Sequence, residues 1–426
     1  MKKGRKKLLS ALEWLATPVA ILLTVWYVSV RLLRYTFLMQ EQKGIFLWTP
    51  DYLRQTFSDP WPVTTFLSDF LVQFYQNASD GALITAAIVT AVYLCVCQVL
   101  RFFKYRALAG LPASCLAWYI IVHSPTPHTG AAIAVFCIAA AMVATFIPYK
   151  RVDMGGSRMW AIRIAATAGL LFCTTYILAK DKELLDNEKW YAVEYASRSH
   201  DWNLVLRIAT VDVCKSDMSY VPYALLALNA TGQLGEKMLD YPVTGPESLG
   251  ESGDESWSKD SFRSLVYEVS GCPNEAIHMA YQCAAALPHA TGFGTLRQMI
   301  RLQMENEDFV LARKYAEILK RSPRNRKTAA NAIKTIARME SERAGAPVGN
   351  VGSIEDSMIS NNLVYNMSSI ISNCRNATSA ASDRLLAHLL LSGKQEEFSR
   401  TLEHFYDTDN LSGLPKYFRQ NYRKRP

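Results

Sequence analysis

The chain has 426 residues, is 50% hydrophobic and carries a formal net charge of +8, while its mean hydropathy is close to zero. This balance excludes a uniformly soluble domain and predicts a membrane part joined to a soluble part. Residues 1–179 hold 16 Lys and Arg against 7 Asp and Glu, which leaves 30 and 31 for residues 180–426. The positive charge therefore belongs to the apolar part, where it indicates membrane orientation and not nucleic-acid binding.

Five apolar segments in the first part are each near the ~20 residues that a helix needs to cross ~30 Å of hydrocarbon. They predict transmembrane spans at about 15–34, 81–100, 107–122, 130–148 and 160–179. Small residues recur four positions apart, as at Ala140 and Ala144, which favours close packing of the helices. The last four spans have no Asp or Glu in their middle, so a pump or ion-coupled transporter is disfavoured.

The amino terminus predicts an uncleaved anchor. Five basic residues in positions 1–14 precede the first span, and no small-residue cleavage site follows it. Basic residues recur after the second and fourth spans, whereas the turn 123–129 has no Lys or Arg. This alternation predicts a cytoplasmic amino terminus, and five crossings then place residues 180–426 in the periplasm of a bacterium, beside its inner membrane.

The loop at 35–80 is predicted to lie on the outer face of the membrane. Phe66, Phe70 and Phe74 recur at helical spacing, which indicates an amphipathic helix at the level of the lipid headgroups. Plain solvent exposure is the simplest interpretation of the loop carboxylates. The alternative is a catalytic set, since paired carboxylates perform acid–base chemistry where they converge in space; its candidates are Asp51, Asp59 and Asp69.

Two further pairs of polar residues flank the spans. Arg31 and Arg34 share one helix face at the outer end of the first span, where they are expected either to extend to the lipid headgroups or to hold a lipid phosphate. His123 and His128 have no neighbouring Cys or carboxylate in sequence and make a weak metal site. We therefore predict no metal and no cofactor.

Residues 180–426 predict amphipathic helices in pairs with no strand-like alternation. Examples are 223–231 with 234–239, which turn at Gly232, and 384–391 with 395–406, which turn at Gly393. Two polar inserts, 244–260 and 341–353, interrupt the pairs and are expected to be loops.

The helix pairs resemble the tetratricopeptide repeat, whose period is about 34 residues. The predicted fold is therefore all-α, a five-helix transmembrane bundle followed by a helical-repeat solenoid. Stacked pairs share one core and leave a concave surface for protein segments. An irregular helical bundle without a specific partner is the alternative.

Cysteines and chemical motifs narrow the function further. Cys214, Cys272, Cys283 and Cys374 lie in the predicted periplasmic part, where an oxidising environment allows up to two disulfides with three connectivities. The sequence has no glycine-rich phosphate loop, no Gly-x-Ser-x-Gly, no His-Glu-x-x-His and no basic stripe with aromatics. Hydrolase, kinase, redox and nucleic-acid functions each lack their minimum motif.

Several short runs resemble an uncharacterised bacterial family of polytopic membrane proteins with repeat-like helical tails. These runs are Glu41-Gln42, 46–53, 70–74, Trp202, 220–228 and 414–417. The resemblance covers most of the chain, supports the same layout and assigns no catalytic residue.

The leading functional hypothesis is an inner-membrane protein that displays a helical-repeat scaffold for envelope proteins, with the lipid bilayer and unidentified envelope proteins as partners. The alternative resembles membrane glycosyltransferases that use an acidic first outer loop on lipid-linked substrates. In that alternative, Asp51, Asp59 and Asp69 would act on the substrate, while Arg31 and Arg34 would hold its phosphate.

Overall fold

The structure is a computed structural model that describes residues 2–124, 126–148, 157–250, 257–344, 368, 371 and 378–422. These residues form helices and connecting turns, with no β-strand in the described ranges. The chain falls into two compact units. Unit 1 contains Met1–Tyr191 and Arg321–Asn325, and unit 2 contains Ala192–Lys320 and Arg326–Pro426. The all-α prediction is confirmed for the described chain.

The described residues of unit 1 form eight complete helices and the start of a ninth. They are α1 (Lys2–Leu32), α2 (Arg34–Lys43), α3 (Pro50–Phe57), α4 (Pro62–Val72), α5 (Ala78–Val99), α6 (Arg106–Val122), α7 (His128–Phe146), α8 (Ser157–Lys180) and α9 (Lys182–Arg198). The predicted boundary at residue 180 falls between α8 and α9, whereas the two units divide eleven residues later, within α9.

Within the described ranges, four helices are long and apolar enough to span a membrane. Their apolar stretches are Leu15–Leu32 in α1, Ala78–Val99, His128–Phe146 and Trp160–Lys180 in α8. The fifth predicted span, 107–122, is the apolar helix α6, which has 17 residues and contains Pro112. Seventeen residues are the lower limit for a crossing helix.

Unit 1 exposes apolar side chains and buries polar ones. Phe146 on α7 and Phe172 on α8 are 86% and 71% exposed, and only 22% of the apolar stretch of either helix is buried. On α4 the buried face is largely polar and includes Ser68 and Asp69, while Phe66 and Phe70 are only half-buried. A contiguous apolar exterior of this extent marks a surface that contacts lipid or another apolar partner.

The loop at 35–80 is a compact helical layer. Its helix α4 begins at Pro62, because proline fixes a helical φ and lacks the N–H that the first turn leaves unbonded. Phe46 is fully buried, and its ring centroid lies 5.4–5.8 Å from those of Tyr52, Phe66 and Phe70. The predicted helix through Phe66 and Phe70 is confirmed; it ends at Val72, before Phe74.

Arg101, which follows the carboxyl end of α5, binds the carboxyl end of α7. Its side chain is only 8% exposed and donates to the carbonyl oxygens of Ala144 and Ile147. A guanidinium at this position gives the carbonyls at the helix end a charged donor and complements the helix dipole. Arg101 therefore fixes α5 to α7 at one end of unit 1.

Five residues from late in the chain belong to unit 1. Within 321–325, the side chain of Asn325 accepts a hydrogen bond from Gln76 Nε2 at 2.5 Å, and Arg324 N donates to Gln73 Oε1 at 3.0 Å. Arg324 also pairs with Asp80 at 3.1 Å. Unit 1 is thus discontinuous in sequence.

Unit 2 contains the end of α9 and a series of helices, most of which are shorter than α9. They are α10 (Trp202–Ile208), α11 (Val211–Ser216), α12 (Val221–Ala230), α13 (Leu234–Lys237), α14 (Trp257–Val269), α15 (Pro273–Ala285), α16 (Phe293–Glu305), α17 (Phe309–Lys320), α18 (Arg326–Ala344), α19 (Ser379–Leu391), α20 (Gln395–Phe405) and α21 (Lys416–Asn421). From α14 to α18, each helix packs against the next one along the chain.

One turn geometry recurs in unit 2. Five helices end at a residue with positive φ, and the next residue donates its N–H to the carbonyl five positions back, at 2.7–3.0 Å. This 6→1 bond with a left-handed residue is the Schellman motif. The left-handed residues are His200, Gly232, Gly271, Glu307 and Gly393.

The recurrent turn has a regular spacing and is followed by a buried residue at a fixed position. The first four left-handed residues stand 32, 39 and 36 positions apart, and the last follows 86 positions after the fourth. The fifth residue after the turn is fully buried in four of the five hairpins, as Val205, Ala276, Ala312 and Phe398. In these four hairpins, the same turn is therefore followed by a core residue at the same position.

The predicted polar inserts are partly helical where they are described. Pro246–Leu249 forms a 3₁₀ turn in which Leu249 is fully buried, and the first four residues of the second insert belong to α18. Leu249 therefore belongs to the core, and the part of the first insert that forms an exposed loop is shorter than predicted. Residues 251–256 and 345–353 lie outside the described residues.

Candidate functional site

Unit 1 has a cavity of about 280 Å³, lined by both polar and apolar side chains, at the end of the bundle where α6 ends and α9 begins. Its polar lining includes Gln40 and Lys43 from α2, His123 after α6, and Glu183 and Asn187 from α9. The ammonium of Lys43 lies 5.6 Å from the ring centroid of Tyr191. Charges of both signs therefore face one cavity.

His123 is held on both ring nitrogens. Its Nδ1 lies 2.9 Å from the carbonyl oxygen of Tyr119, and its Nε2 lies 2.8 Å from Asp181 Oδ2. Asp181 also accepts a hydrogen bond from the backbone N–H of Leu184, at 3.1 Å, in the first turn of α9. The pair therefore links the end of α6 to the start of α9.

The His123–Asp181 contact changes both acidities. Burial lowers the pKa of His123, but its hydrogen bonds to Tyr119 and Asp181 and the charges of Asp181 and Glu183 outweigh burial and raise it above the ordinary value. The hydrogen bond from His123, followed by that from Leu184, lowers the pKa of Asp181. Both shifts favour the charged pair.

Glu188 on α9 caps the start of α2. Its carboxylate accepts hydrogen bonds from Tyr35 N at 2.5 Å, Thr36 N at 2.9 Å and Thr36 Oγ1 at 2.7 Å. Burial raises its pKa, although these bonds act in the opposite direction. A carboxylate at a helix amino terminus satisfies N–H groups that the helix leaves unbonded, so Glu188 fixes the wall of the cavity.

Unit 2 carries a second polar cluster, on helices that precede the recurrent turn. The Glu268 side chain on α14 is 4% exposed and accepts a hydrogen bond from Arg301 Nη2 at 3.1 Å. His200 Nε2 lies 3.0 Å from the same carboxylate, and burial, with the charge of Arg301, lowers the pKa of His200 to about 4. On α9, Glu194 and Arg198 form another largely buried pair at 3.9 Å.

A family model described as a family of unknown function, DUF6057, matches the chain over residues 9–180 and 127–421. The chain belongs to this family. The two matches overlap and together cover most of both units, which confirms the resemblance to an uncharacterised family. No curated protein and no solved structure matches the chain. Roles for residues of this DUF6057 protein must therefore come from its geometry.

The predicted loop carboxylates of the DUF6057 protein lie in different environments. The Asp51 side chain is 94% exposed and lies 3.9 Å from Arg54, and Asp59 is also exposed. Asp69 is buried and accepts a hydrogen bond at 2.7 Å from the hydroxyl of Tyr52. A shared catalytic role for these carboxylates stays a prediction, and no contact among them supports it.

Arg31 and Arg34 are both exposed. Each guanidinium lies over a tyrosine ring, Arg31 at 5.6 Å from the centroid of Tyr27 and Arg34 at 5.5 Å from that of Tyr35. Phosphate binding by either residue stays a prediction. Among the described residues, no group of three or more His, Cys, Asp or Glu forms a metal site.

Three of the four predicted disulfide cysteines are buried thiols. Cys214 Sγ donates to Ala209 O and Cys272 Sγ to Ser270 O, both at 3.8 Å, and Cys283 is also buried without a disulfide. Cys374 lies outside the described residues. Disulfide formation in this part of the DUF6057 protein therefore stays a prediction.

The sequence did not reveal the partner of His123. No carboxylate lies near His123 in the sequence, because Asp181 is 58 positions away and meets His123 only where two helix ends converge. The available signal was the position of Asp181 directly before α9, where Asp is favoured as a cap.

We expect the His123–Asp181 pair to stabilise unit 1 most strongly between about pH 4 and pH 6.5, near the ordinary pKa values of the two groups. Because the pKa of His123 is raised in the folded chain, its contribution to stability is lost as the pH rises through that raised pKa. Because the pKa of Asp181 is lowered, its contribution is lost as the pH falls through that lowered pKa. Thermal unfolding of the full chain in detergent, compared with His123→Gln from pH 4 to pH 9, measures this. A melting difference that does not shrink above pH 6.5 would contradict it.

We expect Glu268→Gln to lower the free energy of unfolding by about 1–3 kcal/mol, because the change removes the buried charge that pairs with Arg301. Glu305→Gln is the matched control. The Glu305 side chain is 51% exposed and lies 3.7 Å from Arg301, so its loss should cost less than about 1 kcal/mol. Denaturant unfolding of the full chain measures both, and equal losses would refute the assignment.

Proposed function

We propose that this protein is an integral membrane protein of the bacterial inner membrane that displays a helical-repeat scaffold for binding other envelope proteins. The observation that carries the proposal is the Schellman turn that recurs at 32, 39 and 36 residues. These separations bracket the ~34-residue period of tetratricopeptide repeats. A repeated helix–turn–helix unit is typical of arrays whose main function is to present a binding surface.

The apolar exterior of unit 1 supports insertion into a membrane. Large apolar side chains on α7 and α8 face outward, as helices in hydrocarbon require. If α6 crosses as well, the bundle has five spans. The basic residues before the first span then place the amino terminus in the cytoplasm and unit 2 in the periplasm.

The helices that precede the turns carry the proposed partner-binding face. In tetratricopeptide-like arrays the first helices of successive pairs line one surface, and here those helices include α9, α14 and α16. Their partly exposed polar residues include Gln298 and Arg301 on α16, which bond to the buried side chains of Ser264 and Glu268 on α14. The partner is therefore expected to present an extended or helical segment with charged side chains.

The topology is tested by a reporter at the carboxyl terminus that is active only in the periplasm. Activity of this reporter, together with inactivity of one that works only in the cytoplasm, is the expected result. The opposite pattern would exclude the five-span arrangement.

The binding face is tested by a photocrosslinking residue in the full chain in membranes. At Gln298 on α16 it should yield a discrete adduct that the same crosslinking residue at Val310 does not give. Val310 on α17 is 76% exposed and follows the turn, so it is the control position. An equal adduct from Gln298 and Val310, or no adduct from either, would argue against binding at this face.

A further inference from the structure

The cavity in unit 1 lies at the height of the ends of membrane-length helices. The apolar stretch of α1 ends at Leu32 and that of α8 at Lys180, and the cavity is lined by residues that follow them closely, Thr36 and Glu183. In a bilayer, helix ends lie at the level of the lipid headgroups. A ligand at this depth would enter from the headgroup layer.

The polar lining of the cavity adjoins apolar residues of unit 1. An apolar crevice adjoins the cavity and shares Thr36, Gln40 and Val122 with its lining. The crevice continues between Phe37, Leu71 and Ile88. The crevice has a volume of only about 20 Å³, so a lipid headgroup in the cavity would leave its acyl chains in the surrounding bilayer.

The charges that face the cavity are balanced. Lys43 contributes an ammonium from α2 and Glu183 a carboxylate from α9. His123 is joined to Asp181, so this pair adds no net charge when both groups are ionised. A purely anionic headgroup would meet Glu183 and a purely cationic ligand would meet Lys43, each with an unfavourable like charge.

We propose that this cavity binds the headgroup of a zwitterionic aminophospholipid of the phosphoethanolamine class. Its phosphate faces Lys43 and its ammonium faces Glu183, with the amides of Gln40 and Asn187 as further hydrogen-bonding groups. The inference rests on the membrane insertion proposed above and is independent of any protein partner of unit 2.

The test is native mass spectrometry of the full chain, purified in detergent and mixed with equal amounts of phosphatidylethanolamine, phosphatidylglycerol and phosphatidylcholine of the same acyl chains. The expected result is at least fivefold more bound phosphatidylethanolamine than either competitor. Lys43→Ala should reduce this binding at least fivefold. Glu183→Gln should instead shift the preference toward phosphatidylglycerol, because it removes the negative charge and retains Lys43.

Lys182→Ala is the matched control. Lys182 is exposed in the same turn of α9 and does not line the cavity, so lipid retention should not change. Equal retention of the three lipids by the unmodified chain, or an unchanged preference in Glu183→Gln, would overturn the proposal. Thermal unfolding of the full chain distinguishes the lipid from free phosphate. If inorganic phosphate stabilises the chain as much as phosphatidylethanolamine does, the ligand is free phosphate and the proposal is overturned.

Discussion

Replacement of Gly250 by alanine is expected to lower the free energy of unfolding by about 2–5 kcal/mol. Gly250 has φ +86°, a left-handed conformation that penalises any side chain. A Cβ at this position would also lie 2.3 Å from Cε1 of Phe262, a buried residue whose ring packs edge-on against Tyr223. Pulse proteolysis of the full chain across a denaturant series measures the loss.

Gly393→Ala separates the two causes. Gly393 has φ +69°, but a Cβ there would have no neighbour within 4 Å. We therefore expect only the backbone penalty of about 1–2 kcal/mol. If Gly250→Ala costs no more than Gly393→Ala, close packing against Phe262 is not the reason that glycine occupies position 250.

Phe398→Ala is expected to cost about 3–5 kcal/mol, because it removes a fully buried aromatic ring from the last described hairpin. The ring lies 5.8 Å from that of Phe418 on α21, which is also fully buried. A Cβ added at Gly235 on α13 would lie 2.8 Å from the Phe418 ring, so the surrounding packing leaves little room to rearrange. The same proteolysis series should show the loss.

Phe405→Ala is the matched change on the same helix. Phe405 is partly exposed near the end of α20, and its removal should cost less than half as much as that of Phe398. Equal losses of unfolding free energy in the two variants would mean that the fifth residue after the turn contributes no more than another aromatic residue of the same helix. A large difference would support a common role for Val205, Ala276, Ala312 and Phe398.

Local patterns predicted much of the fold. Apolar runs of membrane length and helix pairs that turn at Gly232 and Gly393 can be recognised from neighbouring residues alone. The recurrent turn was only partly visible, because three of its five left-handed residues are glycine and the others are His200 and Glu307. Non-glycine residues in this conformation give no local signal.

The candidate sites were harder to predict, because each one joins distant residues. Asp51 and Asp69 have the same side chain, yet one faces solvent and the other accepts a buried hydrogen bond from Tyr52. Sequence does not distinguish them, since helical periodicity identifies a face and not what covers it. On α4 the spacing of Phe66 and Phe70 predicted an amphipathic helix at the lipid headgroups, but it did not predict that Ser68 and Asp69 would be buried on that helix.

The sequence by itself determined the helical class, the long apolar helices and the placement of basic residues around them, since these follow from hydrophobicity and charge along a continuous segment. Tertiary structure decided which polar groups meet: Asp181 with His123, Glu188 with the start of α2, and Glu268 with Arg301. Those contacts join residues 33 to 153 positions apart. They form only when helix ends and faces converge, and no local pattern records which ends will do so.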